Sequence, residues 1–181
     1  MKKNTFIFLL GILLSAITFT SCDKLEDAVE ITINTEFKTH IEATPVEGKS
    51  TTFKESVDFN PRDCEDLADY IDDIKSVDLL SIKIEVTSIQ PEGIELESGS
   101  FSVKDNENGS LFVYNTPDNT KLAVGTIFEI GEGYKDWDVI KKMINDLHAS
   151  TITAVGSVNN DEFKIGFEMT HKVKATATAA K

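Results

Sequence analysis

The sequence predicts a mainly β fold, an antiparallel β-sandwich of immunoglobulin-like or related type, with a β-barrel as the alternative closure. Three observations lead there. Most of the chain after residue 28 alternates apolar and polar residues with a period of two, the spacing of a strand with one wet face. Turn residues interrupt that alternation at short intervals, at Pro45 and Gly48, Pro91 and Gly93, Asn108-Gly109 and Asn159-Asn160. Only two segments carry the three-and-four spacing of a helix, too few and too short to serve as the crossovers of a parallel doubly wound sheet. The predicted order is ββαββββαββ in a single domain over 29–178, with a tail over 179–181.

Taken in order, the first strand begins at Val29 and runs through Ile31, Ile33, Phe37 and Ile41, with polar residues mostly between them. A second strand over 51–59 places Phe53, Val57 and Phe59 on one face. In "NPRDCEDLADYIDDI" the period changes. Asn60 suits an N-cap, Pro61 the first helical position and Asp63 the positive end of the helix dipole. Cys64, Leu67, Ile71 and Ile74 then form one stripe of a short helix. A strand over 80–89 turns Leu80, Ile82, Ile84 and Val86 inward. Ile94 and Leu96 are on one phase and Phe101 and Val103 on the other, so a bulge or bend is expected at Ser98-Gly99. Asn108-Gly109 reads as a two-residue hairpin turn. "KLAVGTIFEI" reads as one strand with Leu122, Val124, Phe128 and Ile130 inward. Asp136 caps a second helix whose stripe is Trp137, Ile140, Ile144 and Leu147. A closing hairpin turns at Asn159-Asn160, with Gly156 facing Phe163, Ala154 facing Ile165 and Ile152 facing Phe167. Its second strand fades in "ATATAAK".

Residues 1–21 have the three-part layout of a secretory signal: Lys2 and Lys3, the oily run "FIFLLGILLSAITF", then small residues before Cys22. The segment "TFTSC" resembles the lipobox of bacterial lipoproteins. That resemblance implies cleavage before Cys22 and a diacylglycerol on its sulfur, so the partner it names is a membrane. Two or more acyl chains hold a protein stably, each buried CH₂ contributing about 0.8 kcal/mol. "CDKLEDA", residues 22–28, is then a tether reaching about 25 Å when extended. With the "MKK" start, the helix-like "ADYIDDIKSV" and the alternating strands, the chain resembles small secreted lipoproteins of the Bacteroidota type. The resemblance implies export and anchoring to the cell envelope, at the outer membrane, and implies no activity. Acids after the lipidated cysteine mark surface display in that group. Here Leu25 separates Lys24 from Glu26 and Asp27, and the leaflet stays open.

A lipidated Cys22 leaves Cys64 without a disulfide partner, and a small buried hydrophobe on a helix face is its expected role. Loss of residues 1–21 removes two lysines and no acid, leaving 16 basic against 31 acidic residues. So acidic a chain disfavours nucleic acid and electrostatic docking on anionic lipid.

No catalytic constellation is expected. There is no G-x-S-x-G, and Ser98, Ser100 and Ser102 read as ordinary solvent-face hydroxyls. His40, His148 and His171 lack zinc spacing, though His40 and His171 fall in the first and last strands. "DNENG", 105–109, lacks the distal ligands of a calcium loop and reads as a turn. "GEGYKDW" has no phosphate-loop ending. No cofactor is expected. Trp137 reads as core, and Tyr134 as the candidate exposed contact for a binding partner. The expected function is a non-catalytic, lipid-tethered binding or assembly module with an envelope protein or glycan as partner. The alternative is a carrier with an apolar ligand in its interior, and a hydrolase using acids such as Asp136 or Asp138 ranks behind both.

Overall fold

In the computed structural model, which describes residues 29–49 and 51–179, nine strands and one α-helix follow each other. They are β1 (Val29–Ala43), β2 (Thr52–Phe59), β3 (Ile74–Gln90), β4 (Glu95–Asp105), β5 (Leu111–Asn115), β6 (Thr120–Lys121), β7 (Ile127–Ile130), α1 (Trp137–Asn145), β8 (Ser150–Val158) and β9 (Lys164–Ala179). One sheet has the order β1-β9-β3-β7, the other β2-β8-β4-β5 with β6 added beside β4, and every pairing is antiparallel. The sandwich is therefore present, and it is not closed into a barrel.

Setting the short β6 aside, the first strand pairs with the last, the second with the second-last, the third with the third-last and the middle two with each other. A long antiparallel ribbon folded in this way across two sheets is a jelly roll. An immunoglobulin-type sandwich instead pairs its first two strands in one sheet. Here β1 and β2 lie in opposite sheets, joined by a corner where Val46 bridges Lys49.

Alternation places Phe37, Ile41, Phe53, Phe59, Ile82, Ile84, Phe101, Val103, Ile152, Ile165 and Phe167 in one core between the sheets. Aromatic rings span the gap. Phe167 of β9 meets Phe101 of β4 edge-on at 5.2 Å and Phe53 of β2 at 6.1 Å. Gly156 lies between Phe53 and Gly99 in register, and Phe53 lies over it so closely that a Cβ there would come within 2.6 Å of the ring.

The expected phase change in β4 is present as a register shift between Leu96 and Ser98, which makes Glu97 the extra residue, one position before the expected Ser98-Gly99. Several other expectations are corrected. The first helix is two 3-10 segments, Pro61–Asp63 and Glu65–Tyr70, broken at Cys64. Asn60 does cap it, accepting from Arg62 N at 3.1 Å. The apolar stripe ends early because Ile74 is drawn into β3 opposite Ala177, and a segment this short has little intrinsic helix stability. Leu67 is buried, while Cys64 and Ile71 are half-buried against the core.

The closing hairpin does not form. β8 and β9 belong to opposite sheets, and Asn159 stays tied to β4, donating its N–H to Glu95 O and accepting from Glu95 N. Alternation gives two apolar inner faces whether the strands pair side by side or face each other across a core. β9 instead finds partners along nearly its whole length in β1 and β3. For the same reason "ATATA" does not fade: Ala175 and Ala177 are fully buried and β9 continues to Ala179.

Leu80 is the extra residue of a bulge between Leu79 and Ser81 and points to solvent, so Val77 and Leu79 take the inward positions before it. "KLAVGTIFEI" divides at Gly125, whose φ of 87° forms a turn, leaving Val124 64% exposed between β6 and β7. The β4–β5 turn is longer than two residues, with Gly109 N bonded to Asp105 O and Asp105 N to Ser110 O. Asp136 precedes α1 in the left-handed region, φ 61°, and makes no side-chain cap. The α1 stripe is Trp137, Ile140, Met143 and Ile144, and Asn145 accepts from Val77 N at 3.1 Å, fixing the helix to β3.

Candidate functional site

The two sheets turn very different outer faces to solvent. On the β1-β9-β3-β7 face charges alternate and neutralise one another: Lys38 and His40 flank Glu168, Lys83 meets Glu85, Lys164 meets Glu42 and Lys75 meets Glu30. Lys75 holds the Glu30 carboxyl below its usual range, and the Glu85 hydrogen bond raises Lys83. Such a face is well solvated and self-satisfied.

The outer face of β2-β8-β4-β5 is built mostly from short hydroxyl side chains. The register sets them in rows across the strands: Thr52, Ser157 and Ser98, then Lys54, Val155, Ser100 and Asn115, then Ser56, Thr153, Ser102 and Val113. Ser98 and Ser157 share a hydrogen bond at 3.0 Å, and Ser56 and Thr153 share one at 2.8 Å. Because these side chains are short, the first two rows form the floor of a groove of about 560 Å³, walled by the Val46–Lys49 corner. None of its twelve lining residues is acidic, although acids outnumber bases 31 to 18 in the chain. Lys49 and Lys54 line it and make no ion pair among the described residues.

This groove was not anticipated. Alternating serines in "SGSFS" were legible as solvent-facing, but their alignment with Ser157, Lys54 and Asn115 depends on strand order, which alternation does not specify.

Cys22 lies outside the described residues. Tyr134 is half-buried: its ring packs on Phe112 at 5.8 Å and Tyr114 at 5.3 Å, and its hydroxyl accepts from Asn115 N at 3.3 Å. Burial, with the neighbouring Tyr134, raises the Tyr114 hydroxyl pKa. Trp137 is core. His40 and His171 do occupy adjacent strands but project to opposite faces. His40 is solvent-exposed beside Glu168, and His171 is fully buried, stacked on Phe59 at 5.0 Å. Neither ring nitrogen of His171 makes a hydrogen bond of good geometry, and the backbone of Phe37 opposite gives them only weak support. Burial pushes its pKa down to about 4, offset only in part by the backbone of Phe37 opposite.

His148 is the histidine that gathers charge. Its Nδ1 lies 2.7 Å from Asp105 Oδ2, its Nε2 3.3 Å from Glu107, and the fully buried Asp105 also accepts from Glu107 N and Asn108 N. The Asp105 hydrogen bond raises the His148 pKa against its partial burial. For Asp105, burial alone would raise the pKa, but His148 and the two backbone donors outweigh it and the net shift is downward. An Asp–His pair of this kind can orient a catalytic imidazole. Here the second ring nitrogen faces Glu107 rather than a hydroxyl nucleophile, and the cluster closes the 105–109 turn onto the start of β8.

A second groove, about 640 Å³, runs between β1, the end of β2 and the 3-10 segments. It collects Asp58, Asp63, Glu65 and Asp66. Thr35 donates to Asp66, and Cys64 Sγ lies 3.8 Å from the Thr35 hydroxyl. Among the described residues no three His, Cys, Asp or Glu side chains are placed to hold a metal ion, and no helix is long and apolar enough to cross a membrane.

No family model matches the chain, and neither does any curated protein. Among solved structures, one of Desmodium yellow mottle tymovirus is similar at 10% identity and a TM-score of 0.41, covering 84% of this chain and 91% of that one. The decameric BFDV capsid protein is similar at 8% identity and 0.41, over 81% and 99%. A structure of turnip yellow mosaic virus follows at 7% and 0.38, over 83% and 95%. Likeness at this level concerns outline alone and carries nothing on binding or assembly.

Proposed function

We propose that this protein is a lipid-tethered module of the cell envelope, anchored through Cys22, that acts by binding rather than by catalysis. The signal-like residues 1–21 and the lipobox-like "TFTSC" support export and anchoring. The observation that carries the binding role is the acid-free groove of an otherwise acidic chain, set on a sheet face of short hydroxyl side chains. A binding role on the outside also accords with an interior filled by Phe53, Phe101 and Phe167. In the cluster of Asp105, Glu107 and His148, the titratable groups are spent on one another.

Two measurements on protein from its native host test this reading. Intact mass is expected to show a diacylglycerol on a chain beginning at Cys22, with the protein in the membrane fraction. Crosslinking in cells is expected to capture an envelope component. An unacylated Cys22 in soluble material overturns the anchor, and turnover of ester, glycoside or peptide substrates that is lost on changing Asp136 or Asp138 to Ala overturns the non-catalytic role.

A further inference from the structure

We infer that the groove on the outer β2-β8-β4-β5 face binds an acidic saccharide, a sugar chain bearing carboxylates, with Lys49 and Lys54 taking the carboxylate. This rests on the binding role proposed above and names its ligand class. Three features of the groove fit that chemistry together. Lys49 from the corner and Lys54 from β2 supply positive charge where no lining residue supplies negative charge, so an anion is favoured here in a chain that is otherwise rich in acid. Ser98, Ser100, Ser157 and Asn115 supply hydroxyl and amide groups that both donate and accept, as sugar hydroxyls require. Val155, 40% exposed between Lys54 and Ser100, supplies an apolar patch for the C–H face of a pyranose ring. Single-stranded nucleic acid fits less well, because a groove without exposed aromatic rings lacks the stacking platform that single strands use.

The groove is open, so affinity in the millimolar to micromolar range is expected. Titration calorimetry on the full chain in detergent tests the inference with oligogalacturonate and oligomannuronate as probes, maltooligosaccharide as the neutral control and polyglutamate as the non-saccharide anion. At least one uronate probe is expected to bind, with the neutral sugar and polyglutamate each weaker by about tenfold or more. The K49A/K54A variant is expected to lose about tenfold or more in affinity, the effect of removing charge-assisted hydrogen bonds. The S98A/S157A variant, which keeps both lysines, is expected to lose uronate affinity while leaving polyglutamate unchanged. Circular dichroism shows that each variant is folded. Failure of both uronates to bind, equal binding of the neutral sugar, equal binding of polyglutamate, or full affinity in K49A/K54A each overturns the inference. Acylation of Cys22, measured on the same preparation, stands or falls separately, so loss of the saccharide site and loss of the anchored-module reading are distinguishable.

Discussion

Replacing His171 by Phe is expected to raise stability near neutral pH and to remove a pH dependence from the wild type. The imidazole is fully buried, lies between Phe37 and Ile82 on the neighbouring strands, and leaves both ring nitrogens without a hydrogen bond of good geometry. Leaving a polar group unsatisfied in a core costs about 1–3 kcal/mol, and a phenyl ring, one ring atom larger, that stacks on Phe59 avoids that cost. The pH term follows from the same burial. A pKa of 6.5 in the unfolded chain and about 4 in the fold means that the unfolded chain binds the proton first. Stability is therefore fully present above pH 6.5 and falls as pH drops from 6.5 toward 4, by about 1.4 kcal/mol per unit and about 3 kcal/mol in all. Urea unfolding of wild type and H171F at several pH values within that window measures the difference. Subtracting the two curves removes the contributions of Asp105, Asp146 and His148, which both proteins share. A difference curve that is flat across the window, or an H171F protein less stable than wild type near neutral pH, would refute the reasoning.

Changing Asp105 to Asn weakens the pin on the 105–109 turn and is expected to destabilise by about 2 kcal/mol in chemical denaturation, because a buried, charge-assisted acceptor is lost. His148, with its pKa raised, contributes stability that is present below its unfolded pKa of 6.5 and is lost as pH rises through its folded value. H148Q should therefore cost more at pH 5.5 than at pH 8.5, measured by the same unfolding curves. Gly156→Ala drives a methyl group against the Phe53 ring and Ser98 O, and about 1–3 kcal/mol of destabilisation is expected, read as a lower thermal midpoint. Phe167→Ala opens a cavity where three rings meet and is expected to cost about 3–5 kcal/mol in urea unfolding.

The strands were legible wherever one face is wet. β1, β2 and β8 carry alternation, and the change of phase from Leu96 to Phe101 announced the bulge in β4. What alternation leaves open is which strand lies beside which. Residues 152–158 and 163–167 match each other as a hairpin and also as opposite walls of a core, and the structure takes the second arrangement. Leu80 and Val124 misled for a related reason: each is an apolar residue at a break in the backbone pattern, where the in-and-out rule restarts. The acidic "NPRDCEDLADYIDDI" kept its Asn60 cap and its inward Leu67 but not its α-helix, since pairing with β9 takes Ile74 and what is left is too short to propagate. The groove was least legible of all, being composed of residues from four strands and a corner that are distant in sequence and ordinary one by one.

The ladder between β1 and β9 carries a mechanical consequence. Val29 opposes Ala179, and fifteen register pairs run from there to Ala43, about 45 Å away at the corner that leads to Lys49. An anchor at one end and a captured load at the other would pull β1 lengthwise along β9. Every rung then resists at once in shear, instead of opening one after another as in a peeled strand. A domain loaded in that geometry withstands more force before its first strand gives way.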